Sequence, residues 1–173
     1  MVWRSRTTPQ DRFFACLVYV LPLIEAYLLA QPIILFLEQL VPIAGLLLLP
    51  LRLFADFYLS ITGLFSIGSF GLGGFLIFMV LIAAVVRNDS ICHFVRFNTM
   101  QSIIIGIALS LFTILWQLFT SIIPINLSLL TLLVVSSLFL GTAAICIYSI
   151  VQSAMGKYAE IPTISRAVER QVP

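Results

Sequence analysis

Glu25 is the first residue in the sequence that could do chemistry, because it interrupts an otherwise uncharged stretch from Phe13 to Ala30. A carboxyl group inside a bilayer is costly, so such a residue usually faces the interior of a helix bundle and marks a pathway or a polar contact. A protonated glutamate that is hydrogen-bonded between helices, or one near the membrane interface, is the structural alternative. The sequence leaves these possibilities open.

A second group of polar side chains lies between positions 87 and 101, and two further polar residues follow near position 150. These side chains could bind a partner at a helix entrance, or they could anchor the chain to lipid phosphates and cap a helix. The candidate functional residues are Glu25, Arg87, Asn88, His93, Arg96, Asn98, Gln101, Tyr148 and Gln152.

The residue types present do not form an enzyme or metal site. Cys92 and His93 are adjacent, so their side chains point apart, and no third group would orient them as a catalytic pair. One histidine and three widely separated cysteines give neither a zinc site nor a disulfide framework. The sequence therefore predicts a protein without a cofactor or catalytic site.

The composition identifies the environment in which these residues must function. The 173 residues include only nine basic and seven acidic side chains, 61% are hydrophobic, and the mean hydropathy is +1.16. This composition excludes an ordinary soluble domain, a disordered chain and a nucleic-acid binder with a basic face. The surplus apolar surface must face a lipid bilayer.

Long uncharged runs give the positions of the membrane spans, since about 20 apolar residues cross a bilayer. Residues 97–156 contain no charge, and Pro124 with Asn126 predicts a turn within this run. We predict an all-α, single-domain membrane protein (1–173) with a four-helix transmembrane bundle, whose spans lie near 13–30, 63–86, 98–122 and 128–153. An amphipathic tail is expected at 157–173.

Residues 32–59 are expected to form an interfacial or re-entrant element on the outer face. The segment is apolar, but Glu38, Pro42 and Pro50 interrupt it. A four-span arrangement with the N-terminus inside places every basic residue except Arg52 on the inner side, whereas a fifth span would divide the basic residues almost evenly. The positive-inside rule favours four spans with both termini inside.

Three segments resemble the signature of the Tic20 family. Val86, Arg87 and Asn88 are followed by HFVRFNTMQ at 93–101, and IYSIVQSAMGKYAEIPTIS occupies 147–165. The sequence YVLPLIE at 19–25 is similar to the first span of that family. These segments are ordered, specific and spread over most of the chain.

The resemblance implies a non-enzymatic, four-span subunit of the translocon at the inner chloroplast envelope, or a cyanobacterial relative in the plasma membrane. It also implies stromal or cytoplasmic termini, other translocon subunits and preproteins as partners, and a possible homo-oligomer. Only 12 residues precede the first span, which favours a plastid-encoded or cyanobacterial protein.

Two other functions stay open at this point. One is a small-solute transporter or channel, in which Glu25, Gln101 and Gln117 would line a path. The other is a cyanobacterial membrane protein with a different role. The absence of an inverted repeat weakens the transporter interpretation.

Overall fold

The chain is described by a computed structural model that covers residues 7–67, 70–71, 73–122, 128–162, 164–169 and 171. Nearly all of these residues are helical. The helices are α1 Pro9–Leu17, α2 Val20–Leu40, α3 Pro42–Gly63, α4 Gly73–Leu81, α5 His93–Ile122, α6 Ser128–Ala154 and α7 Ile164–Glu169. A π-helical turn, Ile82–Val86, continues α4, and a two-residue antiparallel pairing of β1 Ser66–Ile67 with β2 Phe70–Gly71 precedes it.

The break between α1 and α2 follows from a proline. Pro22 has no backbone N–H, so it cannot donate to the carbonyl of Val18 four residues earlier. The helix consequently has an irregular turn at Val18 and Tyr19, where the N–H of Tyr19 bonds to the Cys16 carbonyl at 3.2 Å. This turn places the Tyr19 side chain in the interior, where it is fully buried.

Contacts between helices fix their relative directions. Tyr19 lies beside Asn98, and Glu25 lies beside Gly106, so α2 and α5 run in the same direction. The thiol of Cys16 in α1 donates to the carbonyl of Ile150 at 3.4 Å. Because Ile150 lies near the C-terminus of α6, that helix runs antiparallel to α2 and α5. The beginning of α1 and the end of α6 therefore lie at the same end of the bundle.

Helix α2 is the central element of the bundle. Its Ile24, Tyr27 and Ile34 pack against Ala55 of α3 on one side and Val135 of α6 on the other. Outside this core, many large apolar side chains are exposed on α3, α5 and α6. Exposed apolar surface on this scale is typical of a lipid-facing bundle.

The predicted fold class is confirmed. Four helices are long and apolar enough to cross a membrane, namely Pro9–Leu40, Ile43–Gly63, His93–Ile122 and Leu129–Ala154. The last two correspond closely to the predicted spans near 98–122 and 128–153. The helix predicted near 13–30 continues through Pro32 to Leu40.

The region predicted as a second span, 63–86, differs from a single helix. Gly63 ends α3, and α4 with its π turn contains 9 and 5 residues. This gives a length of roughly 21 Å, which is shorter than a hydrocarbon core of about 30 Å. Gly73 permits the break, because a Cβ atom there would lie 2.5 Å from the Thr62 backbone.

The segment predicted as interfacial or re-entrant contains the regular helix α3. Pro42 occupies its first turn, where a missing N–H does no harm, and Pro50 is accommodated inside it. Arg52 and Asp56 are both exposed near its middle. Because exposed charges are costly in hydrocarbon, an interfacial or re-entrant position stays our prediction for the half of α3 that precedes these charges.

Helices α3 and α4 return the chain to the end at which it began. Gly45 lies against Glu38, and Tyr58 contacts Glu25, so α3 runs back along α2. Phe78 lies against Gly106, so α4 runs antiparallel to α5 and leads to its first turn. Helices α3 and α4 together thus bring the chain back across the bundle once.

The tail packs onto the bundle through α7. Val168 is fully buried, and it joins a cluster with Val86, Phe97 and Ile103. The amphipathic tail predicted at 157–173 therefore places an apolar face against α5 and the π turn. Arg170 and the last two residues lie outside the described part of the chain.

We predict that Gly73→Ala destabilises the protein by about 1–3 kcal/mol, because the added methyl group collides with the Thr62 backbone. Thermal unfolding of purified protein in detergent measures the effect. Gly141→Ala is the matched control, since nothing lies within 4 Å of a Cβ atom there. Equal unfolding temperatures for the two variants would contradict the close contact between α3 and α4.

Candidate functional site

A buried polar centre joins four parts of the chain at one end of the bundle. We define it as the side chains of Tyr19, Asn98, Gln101 and Ser153 with the carbonyl of Ala159. The hydroxyl of Tyr19 lies 2.9 Å from Asn98 Oδ1 and 3.1 Å from Gln101 Oε1. The hydroxyl of Ser153 donates to Asn98 Oδ1 at 3.0 Å.

The two amide groups complete this network through backbone carbonyls. Asn98 Nδ2 donates to the carbonyl of Phe94 at 2.7 Å, and Gln101 Nε2 donates to the carbonyl of Ala159 at 3.1 Å. Every residue that defines the polar centre is fully buried. In a low-dielectric interior an unpaired polar group is expensive, so the network favours one alignment of α5, α6 and the tail.

Ser102 adds a second donor to the carbonyl of Val18, which cannot accept from Pro22 and accepts the backbone N–H of Leu21 at 3.3 Å. Its hydroxyl donates to the carbonyl of Val18 at 2.6 Å. This bond joins the irregular turn between α1 and α2 to α5, one helical turn beyond Asn98. The polar face of α5 therefore supplies a hydrogen-bond donor to the irregular turn between α1 and α2.

Arg96 lies next to the π turn and links α5 to that turn and to the loop that follows it. Its Nε donates to the carbonyl of Val86 at 2.8 Å, and Nη1 lies 3.0 Å from Asp89 Oδ1. The Arg96 side chain is 11% exposed, whereas Asp89 is 92% exposed. Asn88 accepts the backbone N–H of Ser90 at 3.0 Å, which shapes the same loop.

His93 binds the tail at the first turn of α5. Its Nδ1 lies 3.1 Å from the hydroxyl of Tyr158. The ring of Tyr158 makes edge contacts with Phe94 and Phe97, each with a centroid separation of 5.1 Å. The aromatic cluster and the contact between His93 and Tyr158 thus fix the segment that follows α6.

Glu25 lies apart from the polar centre, at a cavity between α2, α3, α4 and α5. The Tyr58 side chain lies beside its carboxyl group, while Oε2 faces Gly106 and is buried without a hydrogen-bond partner among the described residues. The cavity has a volume of about 1060 Å³. Its other polar lining residues include Gln31, Thr62, Ser110, Thr113 and Gln117.

The structure brings some of the candidate residues together and separates others. Asn98 and Gln101 share the polar centre, and Arg96 and His93 lie on the adjoining turns of α5. Arg87 is exposed at the end of the π turn. Tyr148 is 42% exposed on α6, and Gln152 is half-buried. The proposed solute path is divided, because Gln101 lies in the polar centre whereas Glu25 and Gln117 line the cavity.

Sequence reasoning missed Tyr19 and Ser153 as members of the polar centre. A usable signal was present, since Asn98, Gln101 and Ser102 follow a spacing that places them on one helix face. Such a face inside a membrane requires partners from other helices.

No cluster of three or more metal-binding side chains occurs among the residues described.

We predict that Asn98→Leu lowers the free energy of unfolding by about 1–3 kcal/mol, because it removes the acceptor shared by Tyr19 and Ser153. Denaturation of the purified protein in mixed detergent measures this change. Tyr148→Phe, which removes an exposed hydroxyl on α6, is the control and should change stability by less than about 0.5 kcal/mol. A neutral Asn98→Leu substitution would be incompatible with a structural polar centre.

We predict that Glu25→Gln is tolerated and Glu25→Leu is not. Glutamine keeps the shape and an acceptor for Tyr58, whereas leucine leaves the tyrosine hydroxyl without that acceptor. Complementation at matched protein abundance, with Leu140→Ala at an exposed position of α6 as the control, distinguishes the two. Full activity of Glu25→Leu would show that the carboxyl group has no functional role.

Comparisons with known proteins find similar sequences over most of the chain. The family model described as "Chloroplast import apparatus Tic20-like" matches residues 5–168. A Tic20 family protein of Synechocystis sp. is 42% identical over 173 residues, which is 99% of both chains. No solved structure matches the chain.

Plastid relatives match a shorter region. The Tic20 family protein Ycf60 of Pyropia yezoensis is 38% identical over 102 residues, which is 57% of this chain and 49% of the relative. Protein TIC 20-v, chloroplastic, of Arabidopsis thaliana is 35% identical over 104 residues, which is 60% of this chain and 49% of the relative. The match across 5–168 and the similarity over the full Synechocystis protein show that this chain belongs to the Tic20 family.

Proposed function

We propose that this chain is a non-enzymatic, multi-pass subunit of a membrane complex that translocates proteins. The observation that carries the proposal is the match of residues 5–168 to a family described as part of the chloroplast import apparatus. Two features of the bundle support it: a large cavity that is partly polar, and extensive exposed apolar surface.

The cavity beside Glu25 is the proposed contact site for a polypeptide in transit. Its walls combine apolar side chains such as Phe75 and Phe78 with amide, hydroxyl and carboxyl groups. A peptide segment needs both kinds of contact, because its backbone N–H groups must be hydrogen-bonded when they leave water. The carboxyl group of Glu25 and the side chain of Gln117, which line the cavity, supply such acceptors.

Other subunits are proposed to bind the outer surface of α3. Leu46, Leu47 and Phe57 are strongly exposed there, and the helix contacts the bundle mainly through α2. This surface suits a further translocon subunit or a second copy of the chain, and lipid would cover it in their absence.

Photocrosslinking tests the proposed contact site. Photoreactive benzoylphenylalanine replaces Phe75, which lines the cavity and is 61% exposed, or Leu140, which lies on α6 and is 65% exposed. A radiolabelled precursor arrested during translocation should crosslink from position 75 and not from position 140. Equal crosslinking at both positions, or none from either, would contradict the proposal.

A small-solute channel is the second candidate, because Glu25 and Gln117 line one cavity. Purified protein in liposomes should then conduct solutes without any other subunit, and Glu25→Leu should reduce the flux. Migration in mild detergent as a large complex containing precursors, without solute flux from the purified chain, supports the translocon function instead.

We infer that the polar centre lies at the stromal or cytoplasmic end of the bundle. Arg12, Arg96 and Lys157 all belong to that end, since Arg12 approaches Gly156 and Ser153 bonds to Asn98. The positive-inside rule then assigns this end to the inner side. The proposed location is the plastid inner envelope or the cyanobacterial plasma membrane.

Cysteine labelling tests this orientation in a variant whose native cysteines are replaced by alanine. Gln39→Cys, at the far end of α2, should react with an impermeant reagent added from outside to sealed membranes. Lys157→Cys should react only after the membranes are opened. Reaction of both positions from the same side of sealed membranes would rule out the four-crossing arrangement.

A further inference from the structure

A second cavity, of about 620 Å³, lies beside the π turn at the inner end of the bundle. It is lined by Ile82, Val86, Arg87, Arg96, Met100 and Gln171. It is separate from the cavity at Glu25, with which it shares none of these residues. Its lining combines two guanidinium groups with an apolar wall.

Arg96 is held rigidly at this cavity. The carbonyl of Val86 and the carboxylate of Asp89 accept from Nε and Nη1, so two of its nitrogens are fixed in place. A guanidinium group has five N–H donors in a planar fork, which suits an oxyanion bound by two parallel hydrogen bonds. Asp89 is the acidic group at Arg96, and because its carboxylate is largely solvated it neutralises the positive charge only weakly.

The π turn places the second guanidinium group. The N–H of Arg87 bonds to the carbonyl of Ile82 at 3.0 Å, five residues earlier, which ends the turn. Arg87 thus directly follows Val86, whose carbonyl holds Arg96. One short irregular turn therefore positions both arginines at the same cavity.

The apolar part of the lining indicates what kind of anion fits. Ile82, Val86 and Met100 form a hydrocarbon wall beside the charged groups. A small hydrated anion gains nothing from such a wall, whereas an amphiphile places its head on the arginines and its chain along the wall. We propose that this cavity binds an anionic membrane lipid, with the phosphate or sulfonate of the headgroup between Arg87 and Arg96.

Native mass spectrometry of the full chain in mild detergent tests this site. Phosphatidylglycerol and phosphatidylcholine with the same acyl chains are titrated separately. We expect the wild-type chain to prefer phosphatidylglycerol and Arg87→Gln to reduce this preference about fivefold. Arg87→Lys should keep most of it, because the positive charge is retained.

Arg52→Gln is the matched control, since it removes an exposed positive charge from α3 without touching the cavity. It should leave the preference unchanged. Equal binding of the two lipids by the wild-type chain, or equal losses in Arg87→Gln and Arg52→Gln, would overturn the proposal. Displacement of the lipid by an equal concentration of glycerol 3-phosphate would also overturn it, because the site would then bind a soluble anion.

Discussion

The constraint on which the structure depends is the need to satisfy the side-chain amide of Asn98 inside a membrane. Its oxygen accepts from Tyr19 and Ser153, and its nitrogen donates within α5. Neither hydroxyl can be replaced by water in an interior that excludes it. The turn between α1 and α2 therefore meets α5 and α6 in one register, and the tail joins them through the bond from Gln101 to the carbonyl of Ala159.

The two ends of the bundle consequently differ in construction. At the end that holds the polar centre, hydrogen bonds and the cluster around Tyr158 connect the described helices that meet there. Toward the other end, a cavity lies between α5 and α6 and is lined by Thr113, Trp116 and Val135 among others, and α3 is supported mainly by α2. One firmly joined end and one more open end suit the proposed function, in which the subunit keeps its fold while the cavity near Glu25 is occupied.

The long helices α5 and α6 were predictable because an uncharged run of this length has few alternatives in a membrane. The polar segment at 87–101 was predicted as a candidate site, and the structure places its Asn98 and Gln101 in the polar centre, but their partners were not predictable. Tyr19 lies 79 residues from Asn98 in sequence, and no local spacing relates them. The division between α3 and α4 was missed for a similar reason, since Pro42 begins a helix and the decisive contact between Gly73 and Thr62 is tertiary.

A double-mutant cycle at Tyr19 and Ser153 tests the central role of Asn98 most directly. Reversible unfolding would be measured for Tyr19→Phe, Ser153→Ala and the double variant. Each single change should cost about 0.5–1.5 kcal/mol, and the double variant should cost more than their sum by at least about 0.5 kcal/mol. This excess arises because the second change leaves the Asn98 carbonyl without either hydroxyl donor. If both single variants and the double variant kept the wild-type free energy of unfolding, the hydrogen bonds at Asn98 would not be what holds the helices in register.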